Sequence, residues 1–180
     1  MPENSESIPS LLEYACVFCH SGSEEQLVRE INDRFPFMEA LSPAKMRYRH
    51  VNGKPVEEQI TLFPGYLFVR LRDDGSPYQL TRNGMIYRLL QYSDGNWRLQ
   101  GSDRAFAETL FSMGGVFVFS PAFYENDRIH IVDGPLKAYD GKILRVNHRK
   151  RTAQVQISFS HMNDMTVWLG FELIEKQDHP

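Results

Sequence analysis

Two cysteines and a histidine near the start of the chain have the spacing that attaches c-type haem. Residues 16–20 read CVFCH; in a cytochrome, two such thiols bond the haem vinyl groups and the adjacent histidine ligates the iron. The surrounding segment YACVFC is apolar and rich in strand-forming residues. It follows no basic leader with a long apolar run, and a second cysteine pair with zinc spacing is missing. We therefore interpret Cys16 and Cys19 as small apolar side chains of a buried strand, and we predict no metal or cofactor.

The composition is typical of a globular protein. The chain has 180 residues, of which 42% are hydrophobic and 24% are charged, enough for one ordinary domain or two small ones. No apolar stretch approaches the ~20 residues that span a bilayer. Two cysteines this close together do not build a disulfide framework, so we expect a reducing, cytoplasmic location. The sequence has neither a phosphate-binding loop nor a dinucleotide fingerprint, and we predict that the protein is not an enzyme.

The charge is distributed unevenly along the chain. The net charge of the whole protein is −3, which by itself argues against a protein whose surface is covered by bound nucleic acid. Residues 127–151, however, hold seven basic and three acidic residues, a local net charge of +4. An acidic first part joined to a basic patch predicts an anionic partner for the second part.

The first 114 residues have the pattern of an α+β domain, in which helices cover an antiparallel sheet. Residues 14–19 predict a strand, and the segment after them predicts a helix with Ser23 as its N-cap in a capping box. The dipeptide Asn52-Gly53 predicts the tight turn of a hairpin. A second helix is predicted with Ser102 as its N-cap and a Gly-Gly stop.

The predicted strand Tyr66–Leu71 follows a Pro-Gly turn, and its side chains point alternately to the two faces of the sheet. Alternation directs Tyr66 and Phe68 to one face of the sheet. The other face then carries the aliphatic side chains of Leu67, Val69 and Leu71. Leu67, Val69 and Leu71 can therefore fill a core, and the sequence leaves open whether Tyr66 and Phe68 are exposed or also face the core.

From residue 127 the pattern changes to short alternating strands separated by turn residues. Four or five strands within ~55 residues predict a small barrel. The segment GVFVFSPA at 115–122 has the position of a linker but is apolar. The sequence leaves open whether this segment is a free linker or adds a strand.

Three blocks of the chain resemble the NusG family of transcription elongation factors. YACVFCHSGSEEQLV resembles the first strand and helix of the family's N-terminal (NGN) domain, FPGYLFVRL resembles its hallmark strand, and DRIHIVDGPLKAYDGKILRVN resembles the KOW motif. The resemblance covers about residues 12–176. LFPGYLFV, GPLKAYDGKI and VWLGFELIEK are more similar to the specialised paralogues, especially the LoaP antiterminators, than to housekeeping NusG.

Two segments depart from the housekeeping pattern. Tyr14-Ala15 stands where a Trp-Tyr pair is usual, and residues 159–161 read FSH where Phe-Gly-Arg is usual. The second segment is where NusG-type KOW domains meet partners. Contacts with the ribosome or with Rho therefore stay open.

The resemblance implies a fold and a first partner. It implies an α+β NGN domain followed by a small, SH3-like, all-β KOW barrel, with a disordered N-terminus at 1–11, the NGN domain at 12–114, a linker at 115–122 and the KOW domain at 123–180. The NGN domain would bind the clamp helices of the largest catalytic subunit of RNA polymerase. The side chains expected at that contact are Phe63, Tyr66, Phe68, Tyr87 and Leu89.

The resemblance to LoaP also implies that the KOW domain binds a nascent RNA hairpin, which fits the basic patch. The side chains expected to contact RNA are Lys137, Lys142, Arg145, His148, Arg149, Lys150 and Arg151. We expect a monomer without a membrane partner, and the KOW domain could instead recruit another elongation factor or the ribosome. The alternatives for the whole protein are a housekeeping NusG and a ribosome-associated KOW protein, although the latter would usually be basic overall.

Overall fold

The computed structural model describes residues 12–72, 75–139, 141–160 and 164–175. The terminus predicted to be disordered lies outside these residues, as does His161 of the FSH segment. The strands are β1 Glu13–Cys19, β2 Met38–Leu41, β3 Ala44–Val51, β4 Lys54–Thr61, β5 Tyr66–Leu71, β6 Ile86–Leu89, β7 Val116–Phe117, β8 Ser120–Glu125, β9 Arg128–Ile131, β10 Ile143–Asn147, β11 Thr152–Ile157 and β12 Met165–Leu173. The helices are α1 Glu24–Arg34 and α2 Gly101–Ser112, with 3₁₀ helices at Pro77–Arg82 and Pro135–Tyr139.

The chain divides into two compact units. The first contains the described residues of Met1–Ser42 and Pro64–Ala107, and the second those of Pro43–Phe63 and Glu108–Pro180. Residues 43–63, which the sequence assigned to the N-terminal domain, are thus grouped with the C-terminal strands. The domain boundaries read from the sequence stay a prediction.

The first unit is built on an antiparallel sheet in the order β2-β5-β1-β6. Alternate residues of β1 and β5 point to one face, where they bury against Leu27 and Ile31 of α1. Because the strand period is two and the helix period is about 3.6, both elements present one continuous apolar surface to this core. The predicted helices over an antiparallel sheet are confirmed for this unit.

The predicted cap of α1 is confirmed in position, and that of α2 is wrong. Ser23 is the N-cap residue of α1 but makes no side-chain capping hydrogen bond, so the predicted capping box does not form. Ser102 is the second residue of α2, which begins at Gly101. The buried carboxylate of Glu24, in the first turn of α1, binds backbone N–H groups nearby instead.

The second unit combines a hairpin with a five-stranded sheet. Strands β3 and β4 pair around Asn52 and Gly53, whose φ angles of 52° and 76° are the positive values that a tight hairpin turn requires; the predicted hairpin is confirmed. The sheet has the order β10-β11-β12-β8-β9, and β8 and β12 pair in parallel. The segment 115–122 adds β7, which pairs with β3, and the start of β8. That the C-terminal strands form an SH3-like barrel stays a prediction.

Side chains of β3 attach the hairpin to the rest of the second unit. The ring of Tyr48 stacks on Phe119 with centroids 4.4 Å apart, and its hydroxyl donates to Glu172 at 2.7 Å. Lys45 Nζ donates to the carbonyl of Trp168 at 2.8 Å. Burial, together with the nearby charge of Arg47, lowers the pKa of the Lys45 ammonium. These contacts explain why the hairpin and the C-terminal strands form one compact unit.

Candidate functional site

An aromatic cluster is exposed at one end of the first unit's sheet. Phe18 lies at its centre, with the ring centroids of Tyr66 and Tyr87 at 5.1 Å and 5.6 Å. The guanidinium of Arg88 lies 5.8 Å from the centroid of Phe18, and His20 lies 6.3 Å from Tyr87. Tyr87 is 59% exposed, while Phe18 and Tyr66 are half-buried. We call these five residues the aromatic surface.

Strand register brings these side chains together. Phe18 pairs with Tyr66 across β1 and β5, and with Arg88 across β1 and β6. The ladder between β1 and β6 shifts between Phe18 and Cys19. Such an irregularity re-aims side chains at the end of a sheet. Both neighbours of β1 therefore contribute to one surface around Phe18.

The turn before β5 requires a glycine. Gly65 has a φ of +85°, and a Cβ at this position would lie 3.0 Å from the ring of Phe18 and 3.2 Å from the carbonyl oxygen of Cys19. The Cys19 N–H donates to the Gly65 carbonyl at 2.8 Å. Glycine adopts this backbone conformation without steric cost. The close approach sets Tyr66 beside Phe18.

The carboxylate of Glu24 stabilises the same turn through hydrogen bonds to backbone N–H groups. It accepts the N–H of Gly65 at 2.7 Å and the N–H of Gly22 at 2.6 Å. Glu24 is buried, so these charge-assisted hydrogen bonds are shielded from water. Desolvation, reinforced by the charge of Glu24, raises the pKa of the neighbouring Cys19 thiol to about 11.

Three of the predicted polymerase contacts are not exposed. Phe68 is 1% exposed and packs on Phe106 of α2, with ring centroids 5.3 Å apart. Leu89 belongs to the buried core. Phe63 is buried and packs edge-on against Phe159. The predicted exposure of the Phe68 face is wrong because the sheet is covered on this side as well as on the α1 side.

Sequence reasoning missed three members of the aromatic surface, Phe18, His20 and Arg88, and the supporting Glu24. Strand alternation directs Phe18 to the opposite face from the buried residues Val17 and Cys19, and this alternation was the sequence signal that could have indicated its exposure. The signal becomes specific only once β1 is known to pair with β5.

The haem-like motif has no haem-binding geometry. Cys16 and Cys19 are both buried free thiols, three residues apart on β1, so their side chains lie on opposite faces of the sheet. Desolvation raises the pKa of Cys16, with smaller contributions from the charge of Asp103 and from Cys19. Two buried thiols on opposite faces cannot both reach one porphyrin. Among the described residues, His, Cys, Asp and Glu side chains form no group of three that could hold a metal ion.

The second unit carries the basic cluster. His148, Arg149, Lys150 and Arg151 form the turn between β10 and β11, whose strands pair at Asn147 and Thr152. Arg149, Lys150 and Arg151 are exposed and make no ion pair with any described residue. We call residues 148–151 the basic turn.

The other predicted RNA contacts are arranged differently. Arg145 is exposed on β10, and Lys142 is exposed just before it. Lys137 lies on the 3₁₀ helix Pro135–Tyr139, where its Nζ donates to the carbonyl of Ile131 at 3.0 Å. The ammonium of Lys137 is thus engaged within the protein.

An aromatic pair supports the basic turn. The ring of His148 lies 5.0 Å from the ring of Tyr124 on β8, tilted by 30°. The Tyr124 hydroxyl is buried and has no hydrogen-bond partner among the described residues. Burial raises the pKa of this phenol, and the nearby charge of Arg151 opposes the rise.

The comparisons with known proteins identify the family. The family model described as transcription termination factor NusG matches residues 13–104. The chain belongs to the NusG family. Members of this family are transcription factors, and they generally bind RNA polymerase.

Two further comparisons complete these findings. A solved structure described as "Domain interaction in Thermotoga maritima NusG" is similar to the chain at 18% sequence identity and a TM-score of 0.49, covering 89% of this chain and 94% of that one. A comparison with curated proteins found no match. None of the helices in the described part of the chain has both the length and the apolar character to cross a membrane.

Proposed function

We propose that this NusG-family protein is a specialised elongation and antitermination factor of the LoaP type. In this proposal the aromatic surface binds the clamp helices of the largest catalytic subunit of RNA polymerase, and the basic turn contacts a nascent RNA hairpin. The observation that carries the proposal is the cluster of Phe18, Tyr66 and Tyr87 at one end of the first unit's sheet, within the residues that the family model matches.

The residue types and the packing of the aromatic surface are suited to binding a protein partner. Tyrosine and arginine are enriched among the residues that dominate binding energy, and these residues lie in well-packed clusters. Here the rings contact one another, and the turn that carries Tyr66 is held by the Glu24 carboxylate. A surface that is already ordered loses little conformational entropy on binding.

The basic turn supports the choice of RNA as the second partner. Its cations are exposed and unpaired among the described residues, and phosphate groups would neutralise them and release counterions. A-form helices hide their bases in a deep groove, so recognition would depend on loops, bulges and backbone shape. No covalent chemistry is required, because binding the processive state of polymerase better than the paused state shifts the population.

In vitro transcription tests the proposal. Purified polymerase is run through a terminator placed behind the leader that precedes this protein's gene, and through the same terminator behind an unrelated leader. We expect readthrough to rise only on the first template, and to fall back when Tyr66 and Tyr87 are both replaced by alanine. An equal effect on both templates would favour a housekeeping role. No polymerase binding at all would contradict the proposal.

A further inference from the structure

The basic turn contains an exposed aromatic ring as well as cations. His148 is exposed, and the ring of Tyr124 lies behind it at 5.0 Å. Tyr124 rests edge-on against Phe171 of β12, with centroids 6.3 Å apart, and Phe171 is fully buried. The histidine ring is therefore the outermost of three aromatic rings in contact, and the innermost ring lies in the core.

Hydrogen bonds at both ends stabilise this turn. The Lys150 N–H donates to Asn147 Oδ1 at 2.9 Å, and the Phe171 N–H donates to the Arg151 carbonyl at 2.9 Å. Arg151 closes the turn with a φ of +50°, in the left-handed region. A turn fixed at both ends holds His148 in position before any ligand arrives.

An exposed aromatic ring next to cations is suited to binding one unpaired nucleotide. Bases of single-stranded loops and bulges stack on aromatic side chains, including histidine, whereas bases of a duplex stay stacked on each other. Stacking is tolerant of sequence because every base has a π face. Arg149 and Lys150 directly follow His148 in the sequence and are exposed, so they provide cations for the neighbouring phosphates.

We propose that His148, backed by Tyr124, is a platform on which a single unpaired RNA base stacks while Arg149 and Lys150 contact the adjacent phosphates. This inference rests on the RNA contact of the proposed function and names the feature of the RNA that the site selects. The protein would thereby distinguish a hairpin with an accessible loop or bulged base from a plain duplex.

The role of the Tyr124 ring can be tested separately from that of its hydroxyl. Because this hydroxyl bonds to no described residue, Tyr124→Phe keeps everything that the platform needs. Tyr124→Ala removes the backing ring and frees His148. The phenylalanine variant is therefore expected to bind RNA as the wild type does, and the alanine variant is expected to lose the preference for an unpaired base.

The test uses two RNA hairpins with the same stem and the same number of loop phosphates. One has a loop of six uridines, and the other has a loop of six abasic ribonucleotides. Affinities of the full chain are measured over a range of salt concentrations. The wild type should bind the uridine loop about tenfold more tightly, with the same salt slope for both hairpins, because the phosphates are unchanged.

His148→Ala should abolish this preference by lowering the affinity for the uridine loop, and His148→Phe should retain it. His50→Ala, at an exposed histidine of the β3–β4 hairpin, is the matched control and should retain it too. A preference that survives in His148→Ala would overturn the platform. Equal affinity of the wild type for both hairpins would overturn the platform but leave the RNA contact standing, whereas failure to bind either would overturn both.

Discussion

The aromatic surface and the basic turn are both strand ends fixed by tight turns, yet they present different chemistry. The aromatic surface joins three aromatic rings to one arginine and one histidine, and its supporting carboxylate is buried beneath it. The basic turn exposes three cations without ion pairs among the described residues. Apolar contacts depend little on salt, whereas phosphate contacts weaken steeply as salt rises. Ionic strength should therefore separate the two binding activities.

Truncation of a buried aromatic residue of the first unit should lower the stability far more than truncation of an exposed one. Phe68→Ala removes a ring that is 1% exposed, so we expect unfolding free energy to fall by about 3–5 kcal/mol. Tyr87→Ala removes a ring that is 59% exposed, and the change should stay within about 0.5 kcal/mol. Urea denaturation measures both. Equal losses of stability would mean that Tyr87 is part of the core and not of the aromatic surface.

The aromatic surface should carry the affinity for polymerase. Tyr66→Ala and Tyr87→Ala should each cost about 2 kcal/mol of binding, roughly a 30-fold loss of affinity, with little change in salt dependence. Titration of fluorescent protein with core polymerase measures this. Tyr78→Ala is the matched control, because Tyr78 is 49% exposed but lies on the 3₁₀ helix Pro77–Arg82. A similar loss in Tyr78→Ala would move the contact to another surface.

The Glu24 carboxylate should support the aromatic surface through its negative charge. Glu24→Gln replaces one acceptor oxygen by an NH₂ group that faces a backbone N–H donor, which should cost about 1–3 kcal/mol of stability. Affinity for polymerase should fall several-fold in protein that is still folded, because the turn carrying Tyr66 is no longer held. Glu25→Gln, at the exposed neighbouring glutamate, should leave both measurements unchanged. Wild-type polymerase affinity in folded Glu24→Gln would show that the turn needs no such support.

Alkaline pH should weaken the first unit through its thiols. Burial raises the pKa of Cys19 to about 11 and raises that of Cys16 further. The folded state therefore keeps protons that the unfolded state releases above about pH 9, and stability should fall from there by up to about 1.4 kcal/mol per pH unit for each thiol. Unfolding measured at pH 8, 9 and 10 checks this. The loss should shrink in Cys16→Ala/Cys19→Ala; an unchanged pH dependence would assign it to other groups.

Local features of this chain were predictable from the sequence, and pairings between distant segments were not. The β3–β4 turn and the placement of Leu67, Val69 and Leu71 in one core follow from neighbouring residues, and both predictions are confirmed. Alternation assigns Phe68 to a face but does not say that Phe106 covers it. Likewise Glu24 reaches Gly65 across 41 positions, and no local pattern encodes that contact.

The two candidate sites differ in the same way. The basic turn is contiguous in sequence, so charge counting found it. The aromatic surface combines residues of β1, β5 and β6, so the sequence yielded only Tyr66 and Tyr87. The backing of His148 by Tyr124 again joins distant strands. Strand order and register, which depend on the whole chain, supply what local patterns lack.

The most direct test of the central claim is a crossed binding experiment over a range of salt concentrations. Wild type, Tyr66→Ala/Tyr87→Ala, and the triple variant with Arg149, Lys150 and Arg151 replaced by Gln are each titrated with polymerase and with an RNA hairpin. The account predicts that the aromatic variant loses polymerase binding and keeps RNA binding. The triple variant should keep polymerase binding and lose RNA affinity, with the slope of log K against log salt flattened by up to about 2 units. If the triple variant binds the hairpin with wild-type affinity and slope, or the aromatic variant binds polymerase like the wild type, the assignment of these surfaces is contradicted.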